Sequence, residues 1–143
     1  MMEVKVKRLI TQAVMPEYAT EGAACFDLQT LEGSTVPAGG AAHFSTGLAF
    51  EVPAGHVMLV FSRSGHGFKH GVRLVNCVGV IDADYRGEVK VGLMNDGDAD
   101  LVVNPGDRIA QAMILPVPKV FLVEADALND TARGTGGFGS TGA

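Results

Sequence analysis

The acids, hydroxyls and guanidinium groups of this chain gather in a few short stretches. In Asp82-Ala83-Asp84-Tyr85-Arg86-Gly87, two carboxylates, a tyrosine and an arginine stand almost side by side. A carboxylate on a turn suits general-base work on a water molecule, although the same residues also make an ordinary charged surface turn. Ser62-Arg63-Ser64-Gly65 sets a guanidinium among hydroxyls and glycine backbone. That combination takes phosphate oxygens through charge-assisted hydrogen bonds, and it also suits a plain polar turn. Residues 133–143, R-G-T-G-G-F-G-S-T-G-A, repeat the chemistry with Arg133, Ser140 and Thr141 and add Phe138, an aromatic able to stack on a base. Asp27 lies among small and apolar neighbours in A-A-C-F-D-L. An unpaired carboxylate there is costly, so Asp27 needs a partner, in a core or in a site.

Other chemistries fit poorly. Gly134 to Gly139 matches G-x-G-x-x-G, but only four residues follow, so no strand-glycine-helix unit can be built around it. No lysine follows those glycines as it does in a Walker loop. His66 and His70 stand four apart, yet Gly67 occupies the place of the glutamate in a zinc-binding H-E-x-x-H, and the glycine-rich surroundings disfavour a helix.

The flanking sequence supplies strands to carry these groups. Val4 to Ile10 alternates apolar and basic residues, Ala23 to Leu28 reads as a strand around Asp27, and 41–52 and 57–61 follow as longer apolar runs. Residues 12–22 are irregular, and 62–71 predict a loop with at most one short helical turn. The apolar arms 72–80 and 88–94 predict a hairpin with Asp82 in its turn. Further strands are expected at 101–103, 109–117 and 120–123. Short strands at intervals of roughly 8–12 residues, with no helices between them, indicate an all-β sandwich, jelly roll or barrel. From Asp130 the chain is too rich in glycine to form a core, which makes 130–143 a flexible arm on a domain formed by 1–129. No internal repeat is visible.

At 143 residues the chain suffices for one core. With 47% hydrophobic and 19% charged residues it belongs with globular proteins rather than disordered ones. A net charge of −5 excludes a broad nucleic-acid-binding face. Local arginines and a divalent cation still suffice for a small polyanion. Cys25 and Cys77 are far apart and form no metal or disulfide pattern, as expected in a reducing compartment. The N-terminus lacks the apolar stretch of a signal peptide, and no run approaches the roughly 20 apolar residues of a membrane span. A soluble, cytoplasmic protein without membrane partners is expected.

G-V-I-D-A-D-Y-R-G-E, residues 79–88, resembles the third motif of the trimeric dUTP diphosphatases, the dUTPases. Four more segments match that family in order: A-A-C-F-D-L the first motif, S-R-S-G the second, G-D-R-I-A-Q the fourth and R-G-T-G-G-F-G-S-T-G the fifth. The resemblance spans essentially the whole chain. It departs at Cys25, where the family usually has glycine, and at Ser62, where many relatives carry proline.

The resemblance implies an all-β, jelly-roll-like β-barrel and a homotrimer with active sites at subunit interfaces, each closed by a neighbour's glycine-rich arm. It implies hydrolysis of dUTP to dUMP and diphosphate with Mg²⁺, and Asp82 is the expected base. Arg63, Ser64, Gly65, Gln111, Arg133, Ser140 and Thr141 are expected to hold phosphates. Asn76 and the backbone of Gly79, Val80, Ile81 and Lys90 are expected to read uracil, Tyr85 to lie under the deoxyribose, and Phe138 with Gly139 to cover the base. Asp27 is expected to orient metal-bound water, with no side chain ligating the cation directly. Asp84 is expected to pair with a nearby arginine or the turn backbone. Asp107 and Arg108 suit a turn-stabilising pair.

Two other functions fit the fold less well. The dCTP deaminases share this fold but need a glutamate on the strand after the hairpin, and Gly92 stands at that place. A nucleotide-sensing interaction module without turnover is disfavoured by the presence of every motif acid.

Overall fold

The computed structural model describes residues 2–142. The elements are β1 Lys5–Arg8, β2 Glu17–Tyr18, β3 Phe26–Gln29, β4 Ser34–Val36, β5 Ala41–Ser45, β6 Leu48–Glu51, β7 His56–Phe61, α1 Ser64–His70, β8 Val72–Leu74, β9 Val78–Ile81, β10 Lys90–Asn95, β11 Leu101–Val103 and β12 Arg108–Pro116. One sheet runs β2-β3-β12-β7-β9, another β5-β10-β8, and β1-β6 and β11-β4 form pairs. All of these pairings are antiparallel. Leu28, Met58 and Ile109 from the first sheet meet Phe44, Leu74 and Leu93 from the second in a fully buried core. Each such side chain contributes about 1.5–3 kcal/mol through burial. The result is a jelly-roll-like barrel. Of its pairings only β2–β3 joins strands that are neighbours in sequence.

The structure revises several sequence expectations. The run 41–52 is two strands, because Gly47 turns the chain at φ +67°; a Cβ there would come within 2.8 Å of Leu31 Cδ1. Residues 64–70 form a helix despite their glycines, closed by Gly71 in the left-handed conformation, whose N–H reaches the carbonyls of the last turn. Lys69 and His70 in that turn suit the negative end of the helix dipole.

The arms 72–80 and 88–94 do not form a hairpin. A turn interrupts the first arm, so that β8 and β9 are separate strands. β9 pairs with β7, from Met58↔Ile81 to Phe61↔Val78, while β10 pairs with β5 and β8. Residues 82–89 between them are too many for a tight turn: the start of the first arm does pair with the end of the second, Val72–Leu74 with Leu93–Asn95, but β9 leaves for the other sheet. Nor do residues 120–123 form a strand. Val120, Phe121, Leu122 and Val123 are 73–92% exposed and pair with no strand among the described residues.

Candidate functional site

Alternation along β3 sends Phe26 and Leu28 into the core and Asp27 to the outer face. Across the sheet Asp27 stands opposite Gln111, which in turn stands opposite Phe61. Arg108 and Gln111 are three residues apart and in a regular strand would face opposite sides. A bulge between Arg108 and Ala110 resets the phase, burying Ile109 and Ala110 and leaving both polar side chains outside.

The Asp27 carboxylate is thus flanked by two guanidinium groups. Arg63 Nε donates to Oδ1 at 2.9 Å and Arg108 Nη1 to Oδ2 at 3.1 Å. Arg63 also donates to the Arg108 carbonyl, and Gln111 Nε2 donates to the Ser62 carbonyl at 3.0 Å. These bonds brace an open cleft of about 360 Å³ lined by Ser62, Arg63, Ser64, Gly67, Phe68 and Gln111. Gly65 sits beside Ser64 in α1.

The sequence suggests a turn pair between Asp107 and Arg108, but Asp107 accepts from the Asn104 N–H instead, at 2.8 Å. Only the bulge brings Arg108 to Asp27, and no residue type in G-D-R-I-A-Q announces it. Within α1, His66 has a buried Nδ1 without a partner among the described residues. Burial lowers its pKa from the usual histidine value, and Arg63 and His70 lower it further against a smaller upward pull from Asp107.

The divergence of β9 and β10 opens a second cleft, of about 590 Å³, lined by Val80, Ile81, Asp82, Tyr85, Glu88, Val89 and Lys90. Asp82 is exposed. The Tyr85 hydroxyl donates to the Glu88 carbonyl at 2.9 Å. Its ring packs so closely over Gly87 that a Cβ there would lie 2.5 Å from the phenol oxygen. Glu88 accepts from the Gly47 N–H, and the Thr46 hydroxyl donates to the Val89 carbonyl at 2.6 Å, so the β5–β6 turn supports one wall. Arg86 donates to the carbonyls of Ala83 and Tyr85, not to Asp84, which corrects that expected side-chain pairing. Asn76 lies in the turn before β9. A Cβ on Gly79 would meet Val60 Cβ at 3.1 Å and the Asn76 amide nitrogen at 3.7 Å, so this glycine lets Asn76 lie against the strand.

The arm stands apart. Among the described residues its hydrogen bonds stay within it, including Arg133 Nε to the Gly136 carbonyl at 2.7 Å and Ser140 N–H to the Gly137 carbonyl at 3.0 Å. Phe138 is fully exposed at φ +48°, next to Gly139 at φ +86°. The chain therefore brings Val80, Ile81, Asp82, Tyr85 and Lys90 into one cleft and Arg63, Ser64 and Gln111 into another. It brings Arg133, Phe138, Gly139, Ser140 and Thr141 to neither.

A jelly-roll-like barrel with an arginine-braced cleft, a second cleft between diverging strands and a glycine-rich arm defines a class suited to polyphosphate ligands. The family model described as dUTPase matches residues 11–142, and the chain belongs to that family. It is 45% identical over 141 residues to the deoxyuridine 5'-triphosphate nucleotidohydrolase of Nautilia profundicola, covering 99% of each chain. With its counterpart from Sinorhizobium medicae the identity is 49% over 132 residues, covering 90% of this chain and 82% of that one. The solved Staphylococcus bacteriophage 80alpha dUTPase with dUPNHPP superposes at a TM-score of 0.91 with 27% identity, covering 99% of each chain.

Proposed function

We propose that this protein hydrolyses dUTP to dUMP and diphosphate, as a homotrimer. The observation that carries the reading is the placement of Asp82 and Tyr85 in one cleft while Arg63, Ser64 and Gln111 brace another. Asn76 and the backbone of Gly79, Val80, Ile81 and Lys90 read the uracil edge. Tyr85, held by the Glu88 carbonyl, packs beneath the deoxyribose and clashes with a 2′-hydroxyl. Asp82 takes a proton from water as its oxygen bonds to the α-phosphorus, and the bond to the bridging oxygen breaks as diphosphate leaves. Arg63, Ser64, Gly65, Gln111, Arg133, Ser140 and Thr141 hold and neutralise the phosphates, while Phe138 with Gly139 covers the base.

Among the described residues no group of three His, Cys, Asp or Glu side chains gathers to hold a metal, and both Asp27 oxygens are paired with arginine. A Mg²⁺ would then be carried by the substrate phosphates, with Asp27 as the carboxylate that would orient it. When bound, the cation supplies charge neutralisation at the phosphate oxygens.

Assembly follows from what one chain leaves open. The two clefts share no lining residue, and residues 120–123 expose four apolar side chains in a row. A second copy covers such a run and adds the missing half of the site. From Pro116 to Arg133 the chain has about 17 residues, enough to span nearly 60 Å, so a neighbour's site is within reach. The 130–143 arm then orders only when nucleotide arrives. In the cytoplasm, where free Cys25 and Cys77 are at home, the reaction lowers dUTP and supplies the dTMP precursor.

A deaminase reading meets a steric obstacle as well as a missing acid. A Cβ on Gly92 would lie 2.9 Å from Val75 Cγ2 and 3.0 Å from His43 Nδ1, so a glutamate there would have to displace both side chains.

The test is diphosphate release from dUTP, dCTP, dTTP and UTP by wild type, Asp82→Asn and Asp84→Asn. Only dUTP is turned over well. Asp82→Asn keeps the trimer and dUTP affinity while kcat falls by roughly 10²–10⁴-fold, and Asp84→Asn stays near wild type. Wild-type turnover by Asp82→Asn with a dead Asp84→Asn sinks the assignment of the base.

A further inference from the structure

We propose that Phe68 is the seat on which a second copy's arm rests when it closes over the phosphates, its ring taking the arm backbone at Gly134–Gly137. The inference rests on the reading above that the arm completes a neighbour's site.

Phe68 is 95% exposed, on a seven-residue helix that buries none of its residues. Its side chain therefore adds almost nothing to the barrel core. It lies four residues after Ser64, on the same helix face, and both residues line the arginine-braced cleft with Arg63 and Gln111. A phenyl ring on the rim of a polar cleft, otherwise unused, marks a contact completed by something outside the fold.

The nucleotide base is a poor candidate for that contact, because the cleft assigned to it shares no residue with this one. The arm fits better. Arg133, Ser140 and Thr141 carry phosphate-binding groups, which brings the arm across the Arg63–Ser64 cleft that Phe68 borders. Between them run Gly134-Thr135-Gly136-Gly137, a stretch whose single side chain beyond hydrogen is threonine, so its backbone can lie flat on a ring. Cβ positions on Gly134 and Gly137 would meet nothing within 4 Å, which leaves those faces of the arm free to be covered. Phe138 is already committed to the base, leaving the glycines for Phe68.

The experiment compares full-length trimers with trimers truncated before Arg133, each with Phe68, Phe68→Leu or Phe68→Ala. The probe is a non-hydrolysable α,β-imido analogue of dUTP. Its affinity is measured by calorimetry, and tryptic cleavage after Arg133 in the saturated full-length complex reports whether the arm is closed. In the full-length chain Phe68→Ala weakens analogue binding by about three- to tenfold and speeds cleavage by a similar factor, with Phe68→Leu between. In the truncated chain the same substitutions change affinity by less than about twofold.

Equal weakening in both backgrounds overturns the proposal, because Phe68 then acts on the nucleotide itself. Unchanged affinity and cleavage in the full-length chain overturn it too. So does a change in trimer mass or melting without nucleotide, which makes Phe68 a barrel-to-barrel contact. Truncation that costs neither affinity nor turnover removes the arm from the site altogether. That failure of the underlying reading is visible before any Phe68 substitution is made.

Discussion

Arg63 and Arg133 carry the same group on similar segments, each near glycines and hydroxyls, and the fold treats them in opposite ways. Arg63 is locked against Asp27, beside a second arginine, on the outer face of a five-stranded sheet. Arg133 bonds to the Gly136 carbonyl three residues on, in a segment whose hydrogen bonds, among the described residues, all fall within it. The first is preorganised, so its geometry is maintained at the cost of barrel stability if its partners are lost. The second makes no such contact with the barrel. On the function proposed above, two phosphate-binding segments of similar chemistry divide the work: one positions, the other encloses once a ligand arrives.

Truncation before Arg133 tests this division most strongly. It should lower kcat/KM by about 10³-fold, as several charge-assisted contacts at 1.5–3 kcal/mol disappear, and leave the melting temperature within about 2 °C of wild type. A large loss of stability on truncation would mean that the arm is part of the barrel after all.

Asp27→Ala should give the contrasting signature, in which stability and activity fall together. The carboxylate is only 14% exposed, and its removal leaves Arg63 and Arg108 side by side without a counter-charge. Denaturant unfolding should show a loss of about 1–3 kcal/mol, below the full cost of breaking a buried pair because Arg108 is half exposed. Unaltered stability would make the arginine-braced face as independent of the barrel as the arm is.

The smallest expected effect concerns His66, in the helix that follows Arg63. Its pKa in the folded state lies below that of a free histidine, so the unfolded chain binds the proton more tightly. Folding is therefore penalised as pH falls below about 6.5, and the penalty disappears above that value. Melting temperatures measured from pH 7.5 to 5.5 should fall less steeply in His66→Leu than in wild type, whereas truncation of the arm should leave the slope alone. Identical slopes in His66→Leu and wild type would remove His66 from the account.

Much of this arrangement is legible in sequence. Period-two patterning around Asp27 and through Lys90–Asn95 predicts strands, and the glycine content of 133–142 predicts an arm that builds no core. The partners of those strands are less legible, because pairing is a long-range property. Residues 78–81 and 90–95 look like two arms of a hairpin, yet each finds a different sheet, and the cleft exists because they part. Arg108 escapes for a different reason. Its approach to Asp27 depends on a single bulge, which leaves no compositional trace. Residues 64–70 form a helix because a left-handed Gly71 and packing against β8 outweigh the poor propensity of their glycines, at about 1 kcal/mol each.

The position of β12 also has a consequence for how the molecule is made. This nine-residue strand is the last in the sequence and the centre of its sheet, with β3 on one side and β7 on the other. During synthesis those two partners must wait for it with open edges, which are templates for pairing with other chains. Since almost no pairing is local, folding belongs to the slow, millisecond-to-second regime of β-rich topologies. A ribosome that stalls before Pro116 therefore releases a chain with two unprotected edges. One that stalls shortly after it releases a barrel whose central sheet can close, lacking only its arm.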